Sequence, residues 1–199
     1  MQWANSPARF GAVAKLLHWT TAALFIAAYL LVYTVTLILG HDHPYRPPVL
    51  KLHFSMGLLV GFLVLPRILW RVLNVQPLPL DDRKIEHRMA EVAHLALYAV
   101  MLVMPVTGYL GTGVPSSVGF FELPSFRDTA AFAWLGNMLD ITWQQFEQSV
   151  DTVHHFVGKW VAWAIVLLHV AAALFHHLVR KDDVLRRMLP ERHRDRESR

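Results

Sequence analysis

The chain has 199 residues, 54% of them hydrophobic, with a mean hydropathy of +0.33. With only 17% charged residues, this balance excludes an ordinary water-soluble domain. The lack of cysteine excludes disulfides, iron–sulfur clusters and covalent cofactor attachment through thioethers.

Four apolar runs are long enough to cross a hydrocarbon core, which takes about twenty residues. The first spans about residues 16–39 and carries no charge between His18 and Gly40. It is longer than the apolar core of a secretory signal and lacks a small-residue cleavage site, so a retained helix is expected. The sequence HDHPYRPP at 41–48 follows, and its prolines predict a non-helical loop. The second run covers about 50–73, and a loop broken by Pro77 and Pro79 follows over 75–84. The third covers about 90–110, where Pro105 and Gly108 predict a kinked or widened helix. Residues 111–152 read as a long loop, in which AFAWLGNMLDITWQQF predicts an interfacial helix with Trp134 and Trp143 at headgroup depth. The fourth run covers about 153–179. Residues 190–199 are nearly all charged and predict a disordered tail. The expected fold is therefore an all-α membrane protein, a four-transmembrane-helix bundle forming one domain over 1–189, with a long outer loop between helices 3 and 4.

Fifteen of the nineteen Lys and Arg residues lie before run one, at or between the inner ends of runs two and three, or after run four. Only Arg46, Lys51, Arg127 and Lys159 fall on the other side. The positive-inside rule then predicts a multi-pass inner-membrane protein with both termini in the cytoplasm. The basic tail serves topology and anionic lipid, so no nucleic-acid partner is expected.

Histidine carries the chemistry. His155 and His169 lie fourteen residues apart in one apolar run, HFVGKWVAWAIVLLH. A helix separates them by about 21 Å along its axis and keeps them on nearly one face. His18 and His53 stand at the edges of runs one and two. The predicted topology pairs His53 with His155 near the outer face and His18 with His169 near the inner face. Each pair offers iron two neutral imidazoles from different helices and leaves no open axial position. A four-helix bundle can enclose a flat porphyrin between such helices, and ionisable side chains at membrane depth need a partner. Two b haems are therefore expected. Gly57 and Gly158 lie one turn beyond His53 and His155, where a porphyrin edge can approach backbone. Arg67 and Arg71 read either as haem-propionate contacts or as inner-face topology charges. The neighbouring His154 is a weaker candidate than His155, because fifteen residues of α-helix rotate it off the face of His169.

The chain resembles the bacterial cytochrome b561 family from about Leu17 to Pro190. The likeness rests on LHW at 17–19, RPPVLKLHFSMG at 46–57, PRILWRVL at 66–73, AHLALYAVMLVMPVTGYL at 93–110, HFVGKWVAWAIVLLHVAAALFHH at 155–177 and KDDVLRRMLP at 181–190. It implies haem-ligand roles for His18, His53, His155 and His169, and none for His154. It also implies a superoxide oxidase, which takes electrons from periplasmic superoxide and passes them through both haems to ubiquinone. Other members of the family carry electrons between quinone and partner proteins.

For superoxide, Arg46, Lys51 and Lys159 flank the outer histidines and supply steering charge. Five acids in the outer loop (Glu122, Asp128, Asp140, Glu147 and Asp151) oppose that field. For quinone, His94 and His176 on the inner thirds of runs three and four offer proton-donating contacts beside the inner haem. Two alternatives stand beside the oxidase. One is a cytochrome b carrier that docks a basic periplasmic redox protein on its acidic outer loop. The other is a non-redox metal transporter that uses the same histidines. Tryptophan-rich faces leave room for a homodimer.

Overall fold

The computed structural model describes residues 2–79, 84–118 and 121–190. Arg83 and the basic tail from 191 to 199 lie outside the described residues, as does the expectation of a disordered tail. Helix α1 runs Ala12–Tyr33 and continues as a π-helical turn, Thr34–Ile38. Helix α2 runs Arg46–Leu73 and α3 runs Lys84–Gly111. A two-stranded antiparallel hairpin follows, β1 Ser116–Val118 and β2 Phe121–Leu123. Helix α4 spans Ala130–Leu139. Helix α5, Trp143–Phe156, joins α6, Ala162–Phe175, through a π-helical turn at Val157–Val161, and a last π turn covers His176–Arg180.

Four of these rods are long and apolar enough to cross a membrane: Ala12–Ile38, Arg46–Leu73, Lys84–Gly111 and Trp143–Arg180. Their large side chains point outward. Leu30, Phe62, Leu65 and Leu168 are each more than half exposed. In water such continuous apolar surface would be an aggregation liability, whereas lipid is its natural solvent. The small interior cluster is Val60, Val64 and Met101, with Leu24, Phe25, Ile68 and Tyr98 against it. Glycine allows the rods to approach closely. A Cβ on Gly61 would stand 2.9 Å from Pro105 Cβ, and one on Gly158 would stand 2.9 Å from Met104 Cε.

Several element boundaries differ from the sequence expectation for identifiable reasons. Pro47 and Pro48 do not hold their segment out of the helix. They sit in the first turn of α2, where the amide they lack has no intrahelical partner. The fourth rod starts ten residues before the predicted run, because Thr142 and Gln145 form a capping box. The predicted interfacial helix is two helices, broken at Asp140, whose backbone is left-handed at φ 52°. The presumed long loop has a core of its own. Phe126, Phe132, Trp143 and Phe146 pack with ring centres 5.0–6.0 Å apart, which draws Trp143 inward, while Trp134 stays 65% exposed. Ser55 on α2 donates to the Ser117 carbonyl at 2.6 Å and ties the hairpin to the bundle.

Candidate haem-binding site

The bundle has a loop end, near the hairpin and α4, and a termini end, where α1 begins and α6 finishes. Imidazoles meet at both ends. At the termini end the rings of His18 on α1 and His169 on α6 are 6.2 Å apart, centre to centre. At the loop end the rings of His53 on α2 and His154 on α5 are 6.5 Å apart.

His154 occupies the place the sequence reading gave to His155. His155 is exposed and lines an open polar groove with Glu147 and Asp151. The cause is the π turn at Val157–Val161, in which the Ala162 amide reaches back five residues to the Val157 carbonyl. That turn absorbs one extra residue, so a fifteen-residue spacing has the phase of fourteen α-helical residues. Tyr29 supports the irregular turn by donating its hydroxyl proton to the Gly158 carbonyl at 2.7 Å.

The loop-end pair opens onto a small cavity, about 30 Å³, lined by His53, His154, Gly57, Met104, Pro105 and Gly108. A Cβ on Gly57 would meet nothing within 4 Å. His53 Nδ1 lies 2.8 Å from the Ala28 carbonyl, so it carries the proton and leaves Nε2 bare. His154 Nδ1 lies 3.0 Å from Thr107 Oγ1.

The termini-end pair lies among other polar groups. His94 on α3 comes within 5.7 Å of the His169 ring. Arg67 Nη2 donates to His18 Nδ1 at 2.7 Å. The guanidinium carbons of Arg67 and Arg71 lie 5.5 and 5.8 Å from the Tyr98 ring centre. Among the described residues neither arginine has a carboxylate partner. His176 is turned elsewhere, with Nδ1 2.6 Å from Asp182 Oδ2. Burial alone would raise the Asp182 carboxyl. The hydrogen bonds from His176 and the Val184 amide, with the charges of His176 and Arg180, instead hold it below its usual range. Arg180 also pairs with Glu86 on α3.

The three expected steering cations are spread over the loop end. Arg46 is committed to the end of the first rod, donating to the Val35 and Leu39 carbonyls at 2.8 and 3.2 Å. Lys51 is exposed on α2, and Lys159 lies 5.3 Å from its neighbour's Trp160 ring centre.

The ring spacing of both pairs matches that of two imidazoles on one haem iron. Two nitrogens about 2 Å from a metal, each roughly 1.1 Å from its ring centre, put the centres about 6.2 Å apart. Each ring turns freely about its own metal–nitrogen bond, so the observed interplanar angles of 56° and 86° are both allowed. At His18 the Arg67 bond occupies Nδ1 as acceptor, so presenting a bare Nε2 requires Arg67 to release the ring. That release would free a guanidinium for a propionate.

A four-helix membrane bundle with imidazole pairs at its ends has the architecture of a membrane-embedded b-type cytochrome. The chain belongs to the prokaryotic cytochrome b561 family, which it matches over residues 9–191. It is 34% identical to cytochrome b561 homolog 2 of Escherichia coli K12, over 95% of both chains. It is 26% identical to the probable superoxide oxidase CybB of Yersinia pestis, over 88% of this chain and 93% of that one. Cytochrome b561 homolog 1 of Escherichia coli K12 is 25% identical, over 92% of this chain and 98% of that one. Membership makes the protein a bacterial membrane electron carrier whose family uses b-type haem, and it sets aside the metal-transport alternative.

Sequence reasoning ranked His154 below His155 and did not single out Thr107 or the clearance at Gly108. The signals were present as Gly158 inside the fourth run and as the Pro105, Thr107, Gly108 cluster in MPVTGYL.

Proposed function

We propose that this chain binds two haems b, one through His18 and His169 and one through His53 and His154, and oxidises superoxide at the loop end while reducing ubiquinone at the termini end. The observation that carries the dihaem reading is the pair of imidazole contacts, at 6.2 and 6.5 Å, on different helices at the two ends of the bundle. The haems supply one-electron carriage across the membrane. Two superoxide anions each give up one electron and leave as dioxygen. One ubiquinone takes those two electrons and two protons to become ubiquinol.

The name of the Yersinia pestis relative supports superoxide as donor. Lys51, Lys159 and the anchored Arg46 furnish positive potential around the loop end for an anion. At the termini end, His94 beside His169 is the group placed to hydrogen-bond a quinone carbonyl. His176 can join it only by leaving Asp182. Arg67 and Arg71, without carboxylate partners among the described residues, are suited to haem propionates. The concentration of Arg67, Arg71, Arg88, Arg180, Arg186 and Arg187 at the termini end supports an inner-membrane protein with cytoplasmic termini.

The test uses purified, haem-loaded protein in detergent with a short-chain ubiquinone and enzymatically generated superoxide. Rapid haem reduction followed by ubiquinol formation supports the oxidase. Haems that reduce with dithionite but ignore superoxide refute it. In that case a second reading gains weight, a cytochrome that docks a basic periplasmic redox protein. The open groove along α5 that holds Glu147, Asp151 and His155 favours such a partner by charge.

A further inference from the structure

We propose that Thr107 sets the electron affinity of the loop-end haem by accepting a hydrogen bond from His154 Nδ1, which makes it a positioning residue for that ligand. This rests on the assignment of His154 as an axial ligand made above.

Helix α3 contributes no ligand to the loop end, yet two of its consecutive residues hold the His154 ring. Thr107 Oγ1 lies 2.7 Å from the Val103 carbonyl, 3.3 Å from the Met104 carbonyl and 3.0 Å from His154 Nδ1. A threonine hydroxyl has one proton. The short contact spends it on Val103, so the hydroxyl meets His154 as an acceptor. A neutral imidazole also carries one N–H. It must therefore sit on Nδ1, leaving Nε2 bare. The next residue, Gly108, leaves room for the ring, since a Cβ there would stand 3.2 Å from His154 Cε1.

Both ligands also meet a backbone carbonyl, Ala28 for His53 Nδ1 and Met104 for His154, which no side-chain substitution removes. Thr107 is thus the adjustable acceptor of the loop-end pair. An acceptor on the distal N–H makes the ligating nitrogen more basic and favours the oxidised metal. Removing it moves the midpoint potential upward.

The experiment is a potentiometric titration of purified, haem-loaded protein, paired with electron paramagnetic resonance of the ferric low-spin signals. Wild type is compared with Thr107→Val, Thr107→Ser and His154→Ala. Thr107→Val is expected to move one of the two midpoints to a more positive potential and to alter that haem's resonance, leaving the other unmoved. Thr107→Ser, which keeps the hydroxyl, is expected to restore both. The shifted haem is the one that His154→Ala loses. Unmoved midpoints and resonances in a haem-replete Thr107→Val protein would overturn the proposal. If Thr107→Val loses the haem outright, Thr107→Ser decides. Wild-type haem content and potential in the serine variant keep the proposal, and haem loss there too assigns Thr107 to packing. Retention of both haems by His154→Ala sinks the underlying ligand assignment, an outcome distinct from a silent Thr107→Val.

Discussion

Replacing His154 with alanine is expected to remove one haem per chain, and replacing His155 is expected to remove none. The magnitude follows from helical phase. At about 100° per residue, an unbroken helix would put His155 about 40° from the face of His169, and His154 about 60° from it on the other side. The π turn at Val157–Val161 takes up one residue. His154 then falls about 40° from that face, and His155 about 140° from it. A ring carried roughly 6 Å from the helix axis moves about 9 Å for a 100° rotation. Metal–ligand distances tolerate about 0.2 Å, so His155 has no route to the iron without unwinding the rod. The assay is pyridine haemochrome quantification per chain, with the reduced-minus-oxidised α-band of each variant. His154→Ala should halve both readings and His155→Ala should leave them at wild-type values. The reverse pattern would refute the phase argument and restore the straight-helix reading.

Other outcomes follow from single contacts. Gly57→Leu should raise helix propensity by up to about 1 kcal/mol, yet lower haem content at the loop end, because the space beside Gly57 opens onto both imidazoles. Helical circular dichroism with haem stoichiometry checks it, and a haem-replete Gly57→Leu protein would show that the porphyrin lies elsewhere. Tyr29→Phe removes the bond to the Gly158 carbonyl, at a cost of about 1 kcal/mol, and should lower the thermal midpoint in detergent. Unchanged stability would mean that the π turn needs no support from α1. The Asp182 carboxyl is held below its usual range. Its contribution is therefore complete above the unfolded value of about 3.9 and lost as pH falls through the folded value. Asp182→Asn should be slightly less stable than wild type at pH 7, by under about 1 kcal/mol for so exposed a pair. The two proteins should converge once pH falls below the folded value, and a gap that persists there would exclude the carboxylate charge as its source.

The sequence alone determined the bundle. Four long, charge-poor apolar runs call for lipid around them, and histidines at two depths pointed to a haem partner. It also expected His18 beside His169 and His53 beside a histidine of the fourth run, and the structure brings such rings to 6.2 and 6.5 Å. The boundary prolines of α2 and the capping box of α5 were misjudged locally. The same residues that end helices also begin them, and which occurs depends on what surrounds the chain. The choice between His154 and His155 belonged to tertiary structure. A π turn forms where a neighbouring helix satisfies the displaced backbone, and here that support is Tyr29, 129 residues away in sequence. Periodicity within a segment carries no record of such a contact. The roles of Thr107 and Gly108 likewise exist only because α3 packs against α5, which brings a hydroxyl and a gap to the two sides of one imidazole.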